Sequence, residues 1–300
     1  MSEKLIKFIA SIFRLTPHFK GKFRIGKIIQ KLFNSSEKWN EPEFFISLKN
    51  KTKLFIDVRS KTHIVPFWIG KRDQEIISKI QKYANKDSII LDVGANIGYY
   101  TIPLAYHLKK ENVKIHAFEP VTSNYNSLLK GIQANNLNEN VIANKIALGD
   151  KEGTLEIIKT EKGNTGNAVL SINNENFKKD SDRETIQMIT LDQYMINSKL
   201  KRCDFIKIDI EGAEIFFIQG GMKLIETFKP IIYGEFNSFF INKFGFSVED
   251  VRDLLKPLGY NTYIESSSNK AHFKKTEIKK GMENILFIPA YSEVEKLWFP

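Results

Sequence analysis

Apolar and polar positions follow three rhythms along this chain, and each predicts a different kind of element. Over residues 3–15, Leu5, Phe8, Ile9, Ile12 and Phe13 recur at helical spacing, with Lys4, Lys7, Ser11 and Arg14 on the other face. Pro17 stops that helix, and Arg24 to Phe33 repeats the arrangement with Ile25, Ile28, Ile29 and Leu32. Residues 51–69 alternate in strand fashion, Lys53 to Val58 and then Thr62 to Trp68. They predict a small hairpin, followed by a helix near Asp73–Tyr83.

From Ser88 onward, short apolar runs alternate with amphipathic stretches, which predicts an α/β fold with helices on both faces of a mostly parallel sheet. Strands are expected at 89–93, 113–118, 141–147, 204–209 and 231–235, with helices near 98–109 and 122–134. Ser247 and Asp250 form a capping-box pattern for a helix to Leu255, and Tyr260–Ile264 and Ile285–Ile288 read as the last strands. Residues 153–190 break the rhythm: short strands at Thr154–Ile158, Ala168–Ile172 and Thr185–Thr190 flank a polar loop, Gly163 to Asn167. They are expected to form an insertion beside a pocket. The organisation is thus an N-terminal helical and hairpin appendage, 1–86, before a Rossmann-like doubly wound domain, 87–300. Pro103 conflicts with a helix running from 98, because it lacks an amide donor and crowds the carbonyl of Tyr99. Either the first turn is loosened or the helix begins later.

The chemistry concentrates where the first strand of that sheet ends. Ile89-Ile90-Leu91 runs into Asp92, Gly94, Asn96 and Gly98 before helical periodicity resumes, a turn whose glycines leave bare backbone for a ligand. Twenty-one residues after Gly98, Glu119 closes the second strand, where a carboxylate can accept from both hydroxyls of a ribose. A dinucleotide site would use G-x-G-x-x-G; here Asn96 stands in for one glycine and no third glycine follows. The stretch resembles motif I of the class I S-adenosylmethionine (SAM) methyltransferases. In such a site Asp92 would favour the positively charged part of SAM, and Gly94 and Gly98 would admit its methionine moiety.

A second constellation, Asp204 to Glu214, ends the fourth strand with Asp209, Glu211 and Glu214 around Gly212, and Glu235 with Asn237 ends the fifth. Ligands of open α/β sheets bind beyond these carboxyl ends, which puts Asp209 and Glu211 where an acceptor approaches. Asp92 to Gly98, Phe118-Glu119-Pro120, Thr190-Leu191-Asp192 and Lys207 to Glu214 occur in the order found in FkbM-type SAM methyltransferases, and the chain resembles that family over roughly 88–265. The resemblance implies O-methylation of a hydroxyl on a sugar, glycan or secondary metabolite. It also implies SAM as cofactor, bound by Asp92, Gly94, Asn96, Gly98 and Glu119, with Asp209 near the methionine end or the acceptor. A sugar hydroxyl needs somewhere to send its proton, and Asp209 or Glu211 is the nearest base. Other roles stay open: Asp209 as a ligand of the cofactor's ammonium, Glu211 as a partner of Lys207 or a turn cap, or a divalent cation held by Asp209, Glu211 and Glu235 or Asn237.

Composition narrows the picture. The 300 residues are 42% hydrophobic, enough for one large core and an appendage. One cysteine, Cys203, excludes an internal disulfide and a cysteine zinc site and favours a reducing, cytoplasmic setting. No apolar run is long enough to span a membrane, and the five histidines show no helical metal-ligand spacing. Of the net charge of +10, residues 1–40 hold +7, nine Lys or Arg against two Glu. Those helices are expected to pack on the main domain or on a second copy, or to lie on the inner face of a membrane. Because the basicity sits in the arm, and the Asn/Asp-Pro-Pro-Tyr loop of base methylation is missing, a nucleic-acid acceptor is disfavoured. An RNA or other nucleic-acid methyltransferase and a non-catalytic SAM-binding or membrane-docking scaffold are the alternatives. His63 and Trp68 are candidates for touching an acceptor, with ordinary packing the competing role.

Overall fold

The computed structural model describes residues 3–16, 19, 21–33, 39–70, 73–159, 168–170, 183–266, 269–275, 278, 281–290, 295, 298 and 299. The chain opens with helices α1 (Glu3–Leu15) and α2 (Lys22–Phe33), the hairpin β1 (Glu43–Ser47) and β2 (Lys53–Asp57), then α3 (Ile64–Ile69) and α4 (Gln74–Tyr83). This corrects the hairpin expected over 51–69. β2 pairs backward with β1, Phe44 opposite Ile56 and Ile46 opposite Leu54, and the Thr62–Trp68 run folds into a turn and a helix. Pro66 explains the difference: it costs nothing in the first turn of α3, whereas in a paired strand it would lose a ladder hydrogen bond.

The alternating part follows as β3 (Ile89–Val93), α5 (Thr101–Leu108), β4 (Lys114–Phe118), α6 (Thr122–Ala134) and β5 (Val141–Asn144). Because α5 starts at Thr101, Pro103 falls in its first turn, which settles the conflict in favour of a later helix start. Next come β6 (Ala147–Gly149), β7 (Gly153–Lys159), β8 (Ala168–Leu170), β9 (Arg183–Thr190) and α7 (Leu191–Asn197). The chain then returns through β10 (Phe205–Ile208), α8 (Glu214–Gln219), α9 (Met222–Phe228), β11 (Ile231–Asn237), α10 (Ser238–Ile241), α11 (Val248–Leu255), β12 (Tyr260–Ser266), β13 (Asn269–Lys274) and β14 (Met282–Pro289). The expected box caps α11, Ser247 Oγ accepting from the Asp250 amide and Asp250 accepting from that of Ser247.

Eight strands make the main sheet in the order β13-β12-β14-β11-β10-β3-β4-β5. β11, β10, β3, β4 and β5 run parallel, and β14 is antiparallel between β11 and β12. Sequence order runs one way from β3 to β5 and the other way from β10 to β11, so the topological switch point lies between β3 and β10. Side chains alternate across these strands. Ile90, Ile115 and Phe205 enter one core with Ile102 and Ile132, while Leu91, Val93, Ile206 and Ile208 enter the other with Ile215, Phe217 and Leu224. Ile6, Leu54, Ile56, Phe67 and Trp68 belong to the first of these cores, so the N-terminal elements share apolar packing with one face of the sheet.

The stretch expected to be an insertion is a second sheet, β6-β9-β7-β8, with β6 parallel to β9 and β7 antiparallel to both β9 and β8. It claims the end of the strand expected at 141–147: β5 stops at Asn144, and Ala147–Gly149 crosses to pair with β9. The polar loop Gly163 to Asn167 lies outside the described residues.

Candidate active site

At the switch point, the carboxyl ends of β3, β4, β10 and β11 open onto a cavity of about 540 Å³. The second sheet supplies another wall through Leu148, Leu155, Ile157, Ile186 and Met188, and His63, Val65 and Pro66 border it from around α3. A space of this size, partly apolar and edged by a few polar groups, suits a nucleoside-sized ligand with a second molecule beside it.

The turn after β3 is built by the chain's own close packing. Gly94 and Ala95 both donate to the Phe118 carbonyl, at 3.0 and 2.9 Å, which binds the tip of β3 to that of β4. Gly94 has φ of +79°, and a Cβ there would lie 2.0 Å from the Asp209 carbonyl oxygen. A Cβ on Gly98 (φ +87°) would meet Leu128 at 2.7 Å. At both glycines the place a Cβ would take is occupied, by the Asp209 backbone after β10 and by Leu128 of α6. Asn96 sits where the dinucleotide pattern wants glycine and adopts φ of +50°, the left-handed region that asparagine tolerates best after glycine. Its Oδ1 accepts from the Ile97 amide at 2.8 Å.

Glu119 follows β4 on the cavity wall and is 4% exposed. Its Oε2 accepts from the Asn96 amide at 2.8 Å, and its Oε1 from the Val121 amide at 2.9 Å and the Asn124 side chain at 3.4 Å. The carboxylate thus clamps the two loops together and still has lone-pair capacity for hydroxyl donors. Burial pushes its pKa up to about 7, against the opposing pull of the Val121 and Asn96 amides. This group has the acceptor chemistry that a ribose diol requires.

At the cavity floor lies an ion cluster, Lys207 and Asp92 buried and Asp209 half-exposed, that the residue pattern alone did not assemble. Lys207 Nζ is 3.5 Å from Asp92 Oδ1 and 3.7 Å from Asp209 Oδ2, and it donates to the Gly94 carbonyl at 3.3 Å. Burial works to lower this ammonium, but Asp92 and Asp209 outweigh it and hold its pKa above the ordinary value. Asp92 is 1% exposed, and its Oδ2 accepts from the Thr101 amide at 3.1 Å and the Thr101 hydroxyl at 2.6 Å, at the start of α5. The signal in the sequence was a lysine inside the fully buried strand Phe205–Ile208. A buried lysine requires partners. Tyr100 and Tyr233 lie nearby, both phenols raised well above the ordinary range by burial first and by neighbouring charge second.

The turn after β10 presents the other candidates. Asp209 leaves 46% of its side chain exposed to the cavity, and its amide donates to the Val93 carbonyl at 3.0 Å. Glu211, at φ of +54°, lies on the same wall, as does Glu235 near the carboxyl end of β11. Glu214 points inward: its Oε1 accepts from the Ile210 and Gly212 amides at 3.2 and 3.1 Å, and burial pushes its pKa up to about 7. Gly212 packs against Phe240, where a Cβ would come within 2.7 Å.

Of the residues singled out from sequence, Gly94, Asn96, Glu119, Asp209 and Glu211 line one cavity. Asp92 and Gly98 stand behind the wall, where Asp92 caps α5 and Gly98 admits α6. Among the described residues no group of three or more His, Cys, Asp or Glu is placed to hold a metal ion. His63 reaches the cavity rim with Nδ1 accepting from the Asp57 amide at 3.1 Å, which makes Nε2 the protonated nitrogen of a neutral ring. Burial lowers its pKa to about 4. Trp68, the other aromatic candidate, is fully buried and donates to Gln30 at 2.9 Å, so it packs and does not touch the cavity. Cys203 is buried, its thiol pushed well up by burial.

The methyltransferase FkbM domain model matches residues 92–262. Among solved structures, the chain is similar to the FkbM methyltransferase of Methylobacillus flagellatus KT, with 18% identity and a TM-score of 0.44 over 68% of this chain. The match spans 44% of the length of that protein. A putative transferase from Pyrococcus horikoshii is similar over 89% of this chain and 82% of its own, with 12% identity and a TM-score of 0.46. M. jannaschii TYW2, solved in complex with AdoMet, is similar over 83% of this chain and 85% of its own, at 14% identity and a TM-score of 0.38. No curated protein matches the sequence.

Proposed function

The chain belongs to the FkbM methyltransferase family, and from that premise we propose that it methylates a hydroxyl on a sugar, glycan or secondary metabolite with SAM as donor. The observation that carries the reading is the pairing of Glu119, on the wall at the tip of β4, with Asp209 across the switch point at the tip of β10. One carboxylate suits a ribose and the other is open to an acceptor.

When bound, SAM supplies an activated methyl, so what falls to the protein is placement and a destination for one proton. Glu119, Gly94 and Asn96 would hold the nucleoside and methionine portions. Asp209, the more exposed of the two acids after β10, would take the hydroxyl proton, with Glu211 as its neighbour in that role. Lys207 lies 3.7 Å behind the Asp209 carboxylate and orients it. The apolar side chains of the second sheet would exclude water from the reacting atoms.

Charge on the wall favours a neutral acceptor over a nucleic acid. Seven carboxylates (Asp73, Glu119, Asp150, Glu156, Asp209, Glu211 and Glu235) line the cavity against Lys151 and Lys207, a lining that would repel a phosphate backbone. No described helix is long and apolar enough to cross a membrane. The test is calorimetry with SAM and with NAD, followed by methyl transfer from labelled SAM to a panel of glycans and hydroxylated metabolites. Saturable SAM binding and label on a hydroxyl are expected. NAD binding without SAM binding would end the reading.

A further inference from the structure

We propose that the outer face of α1 and α2 docks on an anionic lipid bilayer. The structure overturns the expected polar side of α1. Arg14 is buried, its guanidinium donating to the Phe67 carbonyl at 2.7 Å and to the Ser47 carbonyl at 3.3 Å. α1 packs on α3 through Ile6, Ala10 and Arg14. At about 100° per residue, Leu5, Phe8, Ile12 and Leu15 fall in one arc of about 80° on the far side. That arc is not covered: Phe8 is 60% exposed, Leu15 64%, and Ile28 on α2 57%. Ile12 and Ile25 are exposed as well.

The charges around this apolar face are of one sign. Lys4, Arg24, Lys27 and Lys31 are exposed. The single acid of the two helices, Glu3, is turned back onto the Asn40 amide. Apolar side chains at the acyl boundary with cations among anionic headgroups is the arrangement by which an amphipathic helix lies on a membrane. A second copy is disfavoured, because a symmetric contact would press two arms of +7 each together. RNA would engage the cations and leave Phe8, Leu15 and Ile28 unexplained. Since Val65 and Pro66 of α3 border the cavity, a docked arm would hold the active site close to the bilayer.

The test uses the full chain with vesicles of phosphatidylcholine alone and of phosphatidylcholine mixed with phosphatidylglycerol. Sedimentation with the mixed vesicles only, weakened by salt, is expected. Lys27→Gln with Lys31→Gln should lower the partition coefficient roughly thirtyfold, at about fivefold for each cation. Phe8→Ser with Ile12→Ser should lower it at least tenfold, about as expected for the apolar area removed. Calorimetry with SAM on the same variants without vesicles separates this outcome from the methyltransferase reading, and unchanged SAM affinity is expected. No sedimentation with the anionic vesicles, or equal sedimentation with neutral ones, overturns the proposal. So does concentration-dependent self-association abolished by Phe8→Ser, which gives the face to a second copy, or RNA retention that survives it.

Discussion

Glu119 combines two jobs in one side chain: it joins the loops after β3 and β4, and it faces the cavity. Replacing it with alanine should weaken SAM binding by about 1–3 kcal/mol, measured by calorimetry, since charge-assisted bonds are lost and two amides are left without their acceptor. With its pKa raised to about 7, the carboxylate ionises as pH rises through that value, and only the ionised form accepts hydroxyl donors with both oxygens. SAM affinity should therefore increase across that range, and the increase should vanish in Glu119→Gln. Asp209→Asn should leave SAM affinity nearly intact while turnover on any accepted substrate falls by about 10²–10⁴-fold; equal loss of both would make Asp209 a cofactor ligand. At this scale the sequence was most legible where a residue ends a strand, because strand ends of an α/β sheet converge. It was least legible where a motif residue serves its neighbours. Asp92 and Gly98 look only like ligand contacts in the one-dimensional pattern, and the fold adds a hydrogen bond from Asp92 to the start of α5 and the close approach of Leu128 to Gly98.

Among the elements, the loops after β3 and β10 behave as a single piece, because Gly94 lies against the Asp209 carbonyl. Gly94→Ala combines a clash with backbone and a strained φ, so it should lower the melting temperature and abolish SAM binding together, as thermal melts and calorimetry would register. Glu214 braces the second of these loops. For Glu119 and Glu214 the folded pKa of about 7 exceeds the ordinary 4.5. Their contribution to stability is complete below about 4.5 and is lost as pH rises through about 7. Denaturant titrations should show stability falling across that interval, with a smaller fall in Glu214→Gln, whose amide keeps the acceptor oxygen without the buried charge. The parallel strands were readable because continuous apolar runs bounded by turns have few other uses. The N-terminal hairpin was misplaced since Thr62 to Trp68 alternates like a strand, and only the partner of β2 could reveal the pairing. The break between β5 and β6 was likewise invisible, for no residue there signals a change of sheet.

Considered whole, the molecule has a main sheet with an apolar core on each face, and the N-terminal segment completes one of them. Arg14 fastens that segment by donating to carbonyls in two different elements. Arg14→Leu should cost about 1–3 kcal/mol in chemical denaturation, because the buried Phe67 carbonyl and the partly buried Ser47 carbonyl lose their donor. The division at residue 86 was drawn from a change in rhythm, which marks where the parallel sheet begins but carries no information on which cores are shared. The second sheet has a different consequence. Gly94 and the Asp209 carbonyl interlock so closely that this part of the floor admits little variation. Leu155, Ile157, Ile186 and Met188 border the same space from a separate sheet, Leu155, Ile157 and Ile186 packing with Val121 in a small cluster of their own. Selection for a new acceptor, in nature or in the laboratory, would therefore find its room in β7 and β9, leaving the methyl-donor half of the machine unaltered.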